Sequence, residues 1–399
     1  MNKLLAVDFG IWPAPMEAHV PGQNILNGID YWGRLVDYLL LYDQIIIPTC
    51  DLQIVYILRI MLGDAVFETL IRNKVIVLAR FNAWYGYLDT GKAGEIQFIT
   101  KYIPSDTQKS KLLLSPFDPL EDVIEKALLL PTNPSTTRER RYALKNILID
   151  NIEVLPSLSL LESARKEAQL DFEESPILLT YYNLKKNPFI NKSYVAENTT
   201  SIKIYKAHNA IKAKSRVNFK SREITAALRI VFENFQLRIG NYLNATTLVG
   251  DDSSISVLKT KGQRFGFVNS RKSAFIIMKD LHNIPDISES FYSKRISPNA
   301  ILELRNSDEG VYFREWLSKG SVSEHDKEIL ERYCIAIQEK HILEKFPFKQ
   351  IRFVGTQIVD YVAPTGGLLA DVINEHLVDW FKNKSPQLFL QKIKIVSDK

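Results

Sequence analysis

The sequence predicts an α+β protein dominated by helices, with an N-terminal α/β unit that contains a βαβ motif and a mostly helical C-terminal domain. Two β-branched apolar runs, 43–48 and 74–80, are separated by helical patterns, which is the order of a βαβ unit. From Arg222 onward, apolar residues recur mainly at helical spacing. The chain has 399 residues, and cores tend to split beyond about 250–300 residues, so we expect two domains.

The N-terminal α/β unit is predicted in detail. Apolar residues from 25 to 40 recur on one face of a helix, and the run 43–48 that follows is typical of a buried strand. The next helix is expected to end at Gly63, and another to end near Asn73, before the second strand at 74–80. These two strands should therefore be parallel.

A hairpin is predicted at 83–99, because two aromatic-rich runs flank a stretch of turn-forming residues at 89–94. Capping residues and prolines then indicate a series of helices. Those expected in the first half of the chain span 118–130, 136–150, 159–173 and 176–186. Those expected in the second half span 222–243, 253–260, 270–282, 298–306, 308–319, 323–344 and 367–382, with a strand at 350–354.

Composition indicates an ordinary folded protein of a reducing compartment. Hydrophobic residues make up 46% of the chain and charged residues 24%, and only two cysteines occur, Cys50 and Cys334. The N-terminus lacks the apolar run of a secretory signal, and no apolar stretch reaches the length of a membrane helix. We therefore expect a soluble, cytoplasmic protein without membrane insertion.

Residues 181–222, which we call the basic segment, carry the strongest charge asymmetry. They contain ten Lys or Arg residues and a single acid, Glu197, for a net charge of +9. Because the whole chain carries +5, the remaining residues total −4. We predict domains at 1–180 and 223–399, with the basic segment as the connector between them.

The basic segment also carries aromatic residues, and this mixture is typical of surfaces that contact phosphates and stack on bases. It predicts a non-enzymatic binding or adaptor protein that contacts nucleic acid or another polyanion through residues 185–222. The candidate binding residues are Lys203, Lys206, Lys212, Lys214, Arg216, Lys220 and Arg222. The competing interpretation is a solvated interdomain linker whose lysines keep it in water.

Catalytic motifs are weak. Gly86, Gly91 and Lys92 fit half of a P-loop, but Ala93 lacks the hydroxyl for magnesium and a strand follows instead of a helix, which favours a hairpin turn. The run 4–10 is similar to the first strand of actin-like ATPases and RNase H-like nucleases, which implies an aspartate, here Asp8, at a strand end. The residues that follow depart from both families.

An enzymatic alternative stays open: a metal-dependent nuclease or nucleotide-acting enzyme that uses Asp8, or Asp89 together with Glu95. The third alternative is an interaction scaffold, a homo-oligomer or a complex with a protein partner, built on the long helices 222–243 and 323–344.

Other reactive side chains favour structural roles. Cys50 is expected to be a buried structural cysteine, and Arg305 is expected to pair with Glu309 one turn later. The six histidines show no metal-ligand spacing. We therefore assign no catalytic, cofactor-binding or metal-binding residue, and we predict no cofactor.

Overall fold

The computed structural model confirms the α+β, helix-dominated class with a βαβ-containing N-terminal region and helices toward the C-terminus. The residues described are 2–7, 29–50, 52–82, 84–90, 96–102, 119–129, 137–174, 176–181, 183–184, 195–196, 222–249, 270–285, 287–318, 328–330, 332–333 and 385–397. The predicted helices at 253–260 and 367–382, the strand at 350–354 and most of the helix at 323–344 lie outside these residues.

Contacts group the chain into two compact units, each built from separate stretches. The helical unit comprises Met1–Asn2, Gly28–Asp43 and Val268–Lys399, and the sheet unit comprises Lys3–Asn27 and Gln44–Phe267. This grouping differs from a division at the basic segment, because residues 28–43 join the C-terminal helices and residues 223–249 join the sheet. A sequence pattern reports local structure and does not reveal such distant associations.

A parallel five-stranded sheet forms the centre of the sheet unit. Its strands are β1 (Lys3–Ala6), β2 (Gln44–Thr49), β3 (Ile76–Arg80), β6 (Glu153–Val154) and β8 (Thr247–Val249). They are arranged in the order β6-β3-β2-β1-β8, and every neighbouring pair is parallel. All residues of β2 are buried, as expected of a strand covered on both faces.

The predicted βαβ unit is confirmed. Helix α2 (Gln53–Arg72) connects β2 to the parallel strand β3. Within α2, Gly63 adopts φ 73° and ψ 157°, a left-handed φ that glycine tolerates because it lacks a Cβ. The interruption expected at Gly63 is therefore present, as a kink between two helical stretches.

A second, three-stranded sheet contains the predicted hairpin. Strands β4 (Trp84–Thr90) and β5 (Ile96–Tyr102) are antiparallel, and β7 (Val195–Ala196) pairs with β5 in parallel. Residues 195–196 lie in the basic segment, which therefore contributes an edge strand to this sheet.

Besides α2, the described helices of the sheet unit are α3 (Leu120–Leu129), α4 (Arg138–Asn151), α5 (Ser157–Glu174), α6 (Pro176–Tyr181) and α7 (Arg222–Tyr242). The helix α7 is the one predicted at 222–243. Val231, Phe235 and Ile239 on its apolar face are fully buried, and the Phe235 ring lies 5.5 Å from the ring of Phe81. The apolar face of α7 therefore packs in the hydrophobic core of the sheet unit.

Six helices of the helical unit are α1 (Ile29–Leu41), α8 (Ser270–Leu281), α9 (Ile287–Tyr292), α10 (Pro298–Asn306), α11 (Asp308–Ser318) and α12 (Pro386–Ser397). Aromatic rings connect them: Trp32 on α1 lies 5.3 Å from Phe291 on α9, and Phe313 on α11 lies 5.0 Å from Phe389 on α12. Ser297 caps α10 by accepting the Ala300 N–H, with Pro298 at the first helical position, as its sequence predicts.

Gly310→Ala is expected to destabilise the protein by about 1–3 kcal/mol, because overpacking a closely packed site forces the backbone to shift. A Cβ at this position on α11 would lie 2.3 Å from the Leu304 carbonyl oxygen and 2.9 Å from that of Arg305. Urea denaturation followed by circular dichroism measures the free energy of unfolding. Val311→Ala is the control, since Val311 is 41% exposed and its truncation should change stability by about 0.5 kcal/mol or less. Equal effects of both substitutions would contradict the packing at Gly310.

Candidate functional site

The basic segment is attached to the sheet unit at two places, one within the segment and one at its end. Within it, β7 pairs Val195 with Thr100 and Ala196 with Lys101 of β5. At its end, Arg222 is the first residue of α7. The other six candidate binding residues, Lys203, Lys206, Lys212, Lys214, Arg216 and Lys220, lie outside the described residues.

Helix α7, which receives the chain from the basic segment, is held by polar contacts with α5. Asn234 Nδ2 donates to Asp171 Oδ2 at 2.8 Å, and Arg238 forms an ion pair with Glu167. Asn234 is 2% exposed, so its amide makes the contact with Asp171 largely away from water, where an unpaired polar group would be costly. The C-terminal attachment of the basic segment is therefore a firmly packed helix.

A second candidate region is the edge where the parallel strands end. Strand β1 lies between β2 and β8. The strand that follows β1 in the sequence, β2, pairs with it on one side, and β8, which comes much later, pairs with it on the other side. Open α/β sheets bind ligands outside the carboxyl ends of their strands at such a switch in strand order.

The turn after β2 is strained at this edge. Leu52 has φ 58° and ψ 17°, a left-handed conformation that is unusual for a bulky side chain. Its N–H donates to Thr49 Oγ1 at 3.2 Å, and both residues are fully buried. Arg80, at the end of β3 and 3% exposed, donates from Nε to the carbonyl of Cys50 at 3.5 Å.

Acidic residues follow three of the parallel strands in sequence. Asp8 comes directly after Val7, Asp51 stands between Cys50 and Leu52, and Asp251–Asp252 begins two residues after Val249. Of these acids, only Asp8 was predicted as a candidate from the sequence, and Asp251–Asp252 was missed because the three-residue strand β8 gives too short a pattern to be recognised. A strand signal at 247–249 would have directed attention to the acids behind it.

The two enzymatic candidates belong to different sheets. Asp8 follows a strand of the five-stranded sheet, whereas Asp89 lies on β4 of the three-stranded sheet, opposite Gln97. Glu95 lies outside the described residues. Within the described part of the chain, no three His, Cys, Asp or Glu side chains are grouped so that they would hold a metal ion.

Cys50 is confirmed as a buried cysteine. It is 0% exposed and packs in a hydrophobic cluster with Ile46, Ala79 and Phe81. Free cysteine in such surroundings behaves as a small apolar side chain.

Arg305 and Arg314 form a buried polar network in the helical unit. Arg305 donates to the carbonyls of Leu39, Tyr42 and Asp43 at the C-terminal end of α1, at 2.7 Å for each of the last two. Arg314 Nη1 donates to the Arg305 carbonyl at 2.9 Å, and its Nε lies 3.4 Å from Asp43 Oδ1. Asp43 also accepts the backbone N–H of Asn2 at 2.7 Å.

The predicted pairing of Arg305 with Glu309 is wrong. Glu309 pairs instead with Lys392 on α12, at 2.7 Å, while Arg305 is only 4% exposed and faces the end of α1. A helix end leaves carbonyls without intrahelical partners, and a buried guanidinium satisfies several of them at once. The sequence spacing indicated Glu309, one helical turn away, as the partner of Arg305 and could not indicate the carbonyls at the end of α1, which are distant in the sequence.

Electrostatics fit a structural role for this network. Burial, assisted by the charge of Arg314 and opposed by Asp43, lowers the pKa of Arg305 to about 9. Burial likewise lowers the pKa of Arg314, and Asp43 opposes that shift. Arg305 remains cationic at neutral pH, with its hydrogen bonds directed to backbone carbonyls.

Comparison with protein-family models, with curated proteins and with solved structures finds no match to this chain. Among the helices of the described ranges, none combines the length and the apolar character needed to cross a lipid bilayer.

Arg305→Met is expected to lower the free energy of unfolding by about 3 kcal/mol, because buried carbonyls at the end of α1 lose their donor. Chemical denaturation at pH 7 measures this loss. Arg295→Met is the control: the Arg295 side chain is 64% exposed, so its substitution should cost about 1 kcal/mol or less. A loss below about 1 kcal/mol for Arg305→Met would show that water or neighbouring groups replace its hydrogen bonds.

Proposed function

We propose that this chain is a non-enzymatic binding protein that contacts nucleic acid or another polyanion through residues 185–222. The observation that carries the proposal is the concentration of charge: +9 in the basic segment against −4 in the rest of the chain. Cations at this density neutralise phosphates and release counterions, which is the main source of sequence-independent affinity for nucleic acids.

The position of the basic segment supports binding over a linker role. The chain passes between the two units at 2–3, 27–28, 43–44 and 267–268, and none of these points lies in the basic segment. The described residues before, within and after it, including β7 and α7, belong to the sheet unit. An interdomain linker would be expected to join the two units, so a different reason for this charge is favoured.

A second candidate function is a metal-dependent nuclease or nucleotide-acting enzyme that uses Asp8. The observation that favours it is the strand order. Asp8 follows β1 in the sequence, and β1 is flanked by β2 on one side and by β8 on the other, which is the switch in strand order where open α/β sheets bind ligands. Carboxylates that follow neighbouring parallel strands would hold a magnesium ion, which would stabilise charge at a scissile phosphate. The alternative pair, Asp89 and Glu95, would form a different site, at the hairpin of the three-stranded sheet.

Salt dependence tests the binding proposal. Neutralising three cations with Lys212→Gln, Lys214→Gln and Arg216→Gln is expected to reduce the slope of log K against log salt concentration by about 2 on single strands and about 3 on duplex DNA. Each lost phosphate contact accounts for about 0.7 or 0.9 of that slope. Fluorescence anisotropy with labelled oligonucleotides between 50 and about 300 mM salt measures it.

The matched control neutralises three exposed cations outside the basic segment, Arg138, Lys166 and Lys294. It removes the same net charge from the chain, so a general charge effect would change both slopes equally. A flat dependence on salt in the unmodified protein, or equal slopes for both triple variants, would overturn binding through the basic segment.

Magnesium dependence tests the enzymatic candidate. If Asp8 holds a catalytic ion, a magnesium-dependent cleavage of labelled oligonucleotides should fall by about a hundredfold or more in Asp8→Asn, because the ion supplies several kcal/mol of transition-state stabilisation. Asp150→Asn, at an exposed position on α4, is the control. Absence of cleavage with magnesium, or activity retained by Asp8→Asn, would exclude this use of Asp8.

A further inference from the structure

Asn2 and Asp43 are bound to each other at the points where the chain enters the first two parallel strands. The Asp43 N–H donates to the Asn2 carbonyl at 3.1 Å, and the Asn2 N–H donates to Asp43 Oδ2 at 2.7 Å. Both residues belong to the helical unit, and the residues that follow them, Lys3 and Gln44, begin β1 and β2 in the sheet unit. Two of the points at which the chain passes between the units are therefore joined by hydrogen bonds.

The Asn2–Asp43 pair continues the register of the two strands. Lys3 is paired with Gln44, and Leu4 is paired with Ile45. Asn2 and Asp43, which are 41 positions apart, are the next pair in the same register. Their hydrogen bonds therefore fix the alignment from which the pairing of β1 with β2 begins.

The side chains of β1 and β2 leave this register weakly specified. Leu4 and Leu5 of β1 are at most 1% exposed, as are Ile45, Ile46 and Ile47 of β2. A slip of one residue moves every side chain of a strand to the other face, which is costly when one face is polar. Because both faces of these strands are apolar here, a slipped strand would still present apolar side chains on each face. The register therefore needs a determinant outside this pattern.

Two arginines of the helical unit hold Asp43 in place. Arg305 on α10 donates to the Asp43 carbonyl at 2.7 Å, and Nε of Arg314 on α11 lies 3.4 Å from Asp43 Oδ1. Arg314 also donates to the Arg305 carbonyl at 2.9 Å. Both arginines are at most 5% exposed, and polar contacts are stronger in such low-dielectric surroundings than in water. We call Asn2, Asp43, Arg305 and Arg314 together the Asp43 clasp.

The pairing of β2 with β3 has a separate tie inside the sheet unit. Gln44 Nε2 donates to the carbonyl of Lys74, two residues before β3, at 3.0 Å. The Ile45 N–H donates to the Val75 carbonyl at 2.7 Å. Strand β3 is thus aligned on β2 by contacts that do not include the Asp43 clasp, and it provides an internal reference.

We infer that the Asp43 clasp sets the register of β1 on β2 and makes this pairing depend on the folded helical unit. The inference is independent of the proposed function. The chain between β1 and β2 includes α1, and bringing the ends of such a segment together costs conformational entropy. The clasp offsets that cost, because it joins the two strand starts within the helical unit. Opening the clasp should expose β1 and β2 to solvent by local unfolding, below the free energy of global unfolding.

Hydrogen–deuterium exchange followed by mass spectrometry tests the clasp in the whole chain. Asp43→Ala removes the side-chain acceptor of the Asn2 N–H and the carboxylate beside Arg314. Amides in 3–6 and 44–49 should exchange about tenfold to a hundredfold faster, because hydrogen bonds to charged groups are among the stronger ones. Amides of β3, at 76–80, should change by about threefold or less, because the tie to Lys74 is kept.

Phe389→Leu is the matched control in the helical unit. Phe389 on α12 is 0% exposed and its ring lies 5.0 Å from the ring of Phe313, so the substitution weakens this unit at a position outside the clasp. Urea denaturation gives the free energy of unfolding of each variant, and a low urea concentration brings the more stable variant to the same value. At this matched stability, exchange in 3–6 and 44–49 should still be faster in Asp43→Ala.

Asp43→Asn is the second variant, and it replaces Asp43→Ala if the alanine variant does not fold. It keeps an oxygen that accepts the Asn2 N–H and loses the charge beside Arg314, so exchange in the same strands should rise by roughly threefold to tenfold. Faster exchange of β1 and β2 than in the Phe389→Leu control supports the inference. Exchange equal to that control at matched stability overturns it.

Discussion

The sheet unit depends on the pairing of β1 with strands that are distant in sequence. Leu4, Leu5 and Ala6 are fully buried, so their backbone groups have no water to bind and must be paired with other strands. β2 supplies one side and β8, more than two hundred residues later, supplies the other. The Lys3 carbonyl accepts the Thr246 N–H at 2.9 Å, and the Lys3 N–H donates to Thr246 Oγ1 at 3.1 Å. This contact fixes how the chain after α7 returns to the sheet.

Both candidate surfaces follow from that constraint. The return of β8 to β1 creates the switch in strand order at β1, the strand that Asp8 follows in the sequence. The packing of α7 on α5 then brings the end of the basic segment to the same unit that contains the hairpin, where β7 adds to β5. The buried arginines of the helical unit have a different role, because Arg305 and Arg314 direct their donors to backbone carbonyls, and Arg314 also lies beside Asp43. The charge concentrated in the basic segment belongs to the sheet unit, and the buried arginine charge belongs to the helical unit.

Long periodic patterns predicted their elements well. The β-branched runs became β2 and β3, the aromatic-rich runs became β4 and β5, and the five-turn apolar face became α7. Short strands were missed, because two or three residues carry no readable period: β6, β7 and β8 were not predicted. The six-residue helix α9 and the twelve-residue helix α12 were also not predicted. The partner of Arg305 was predicted wrongly for a related reason: helical spacing suggested Glu309, while the three carbonyls, in and directly after the last turn of α1, lie about 260 positions away.

The sequence alone determined the class of fold, the βαβ unit, the hairpin and the charge asymmetry of the basic segment, because each is expressed in neighbouring residues through backbone geometry or composition. Tertiary structure decided which strand flanks β1, which helices share a unit, and that β7 joins the basic segment to the hairpin. Those outcomes depend on pairing buried backbone groups and apolar faces across long sequence separations, where many partners would satisfy the local pattern and only the folded chain selects one.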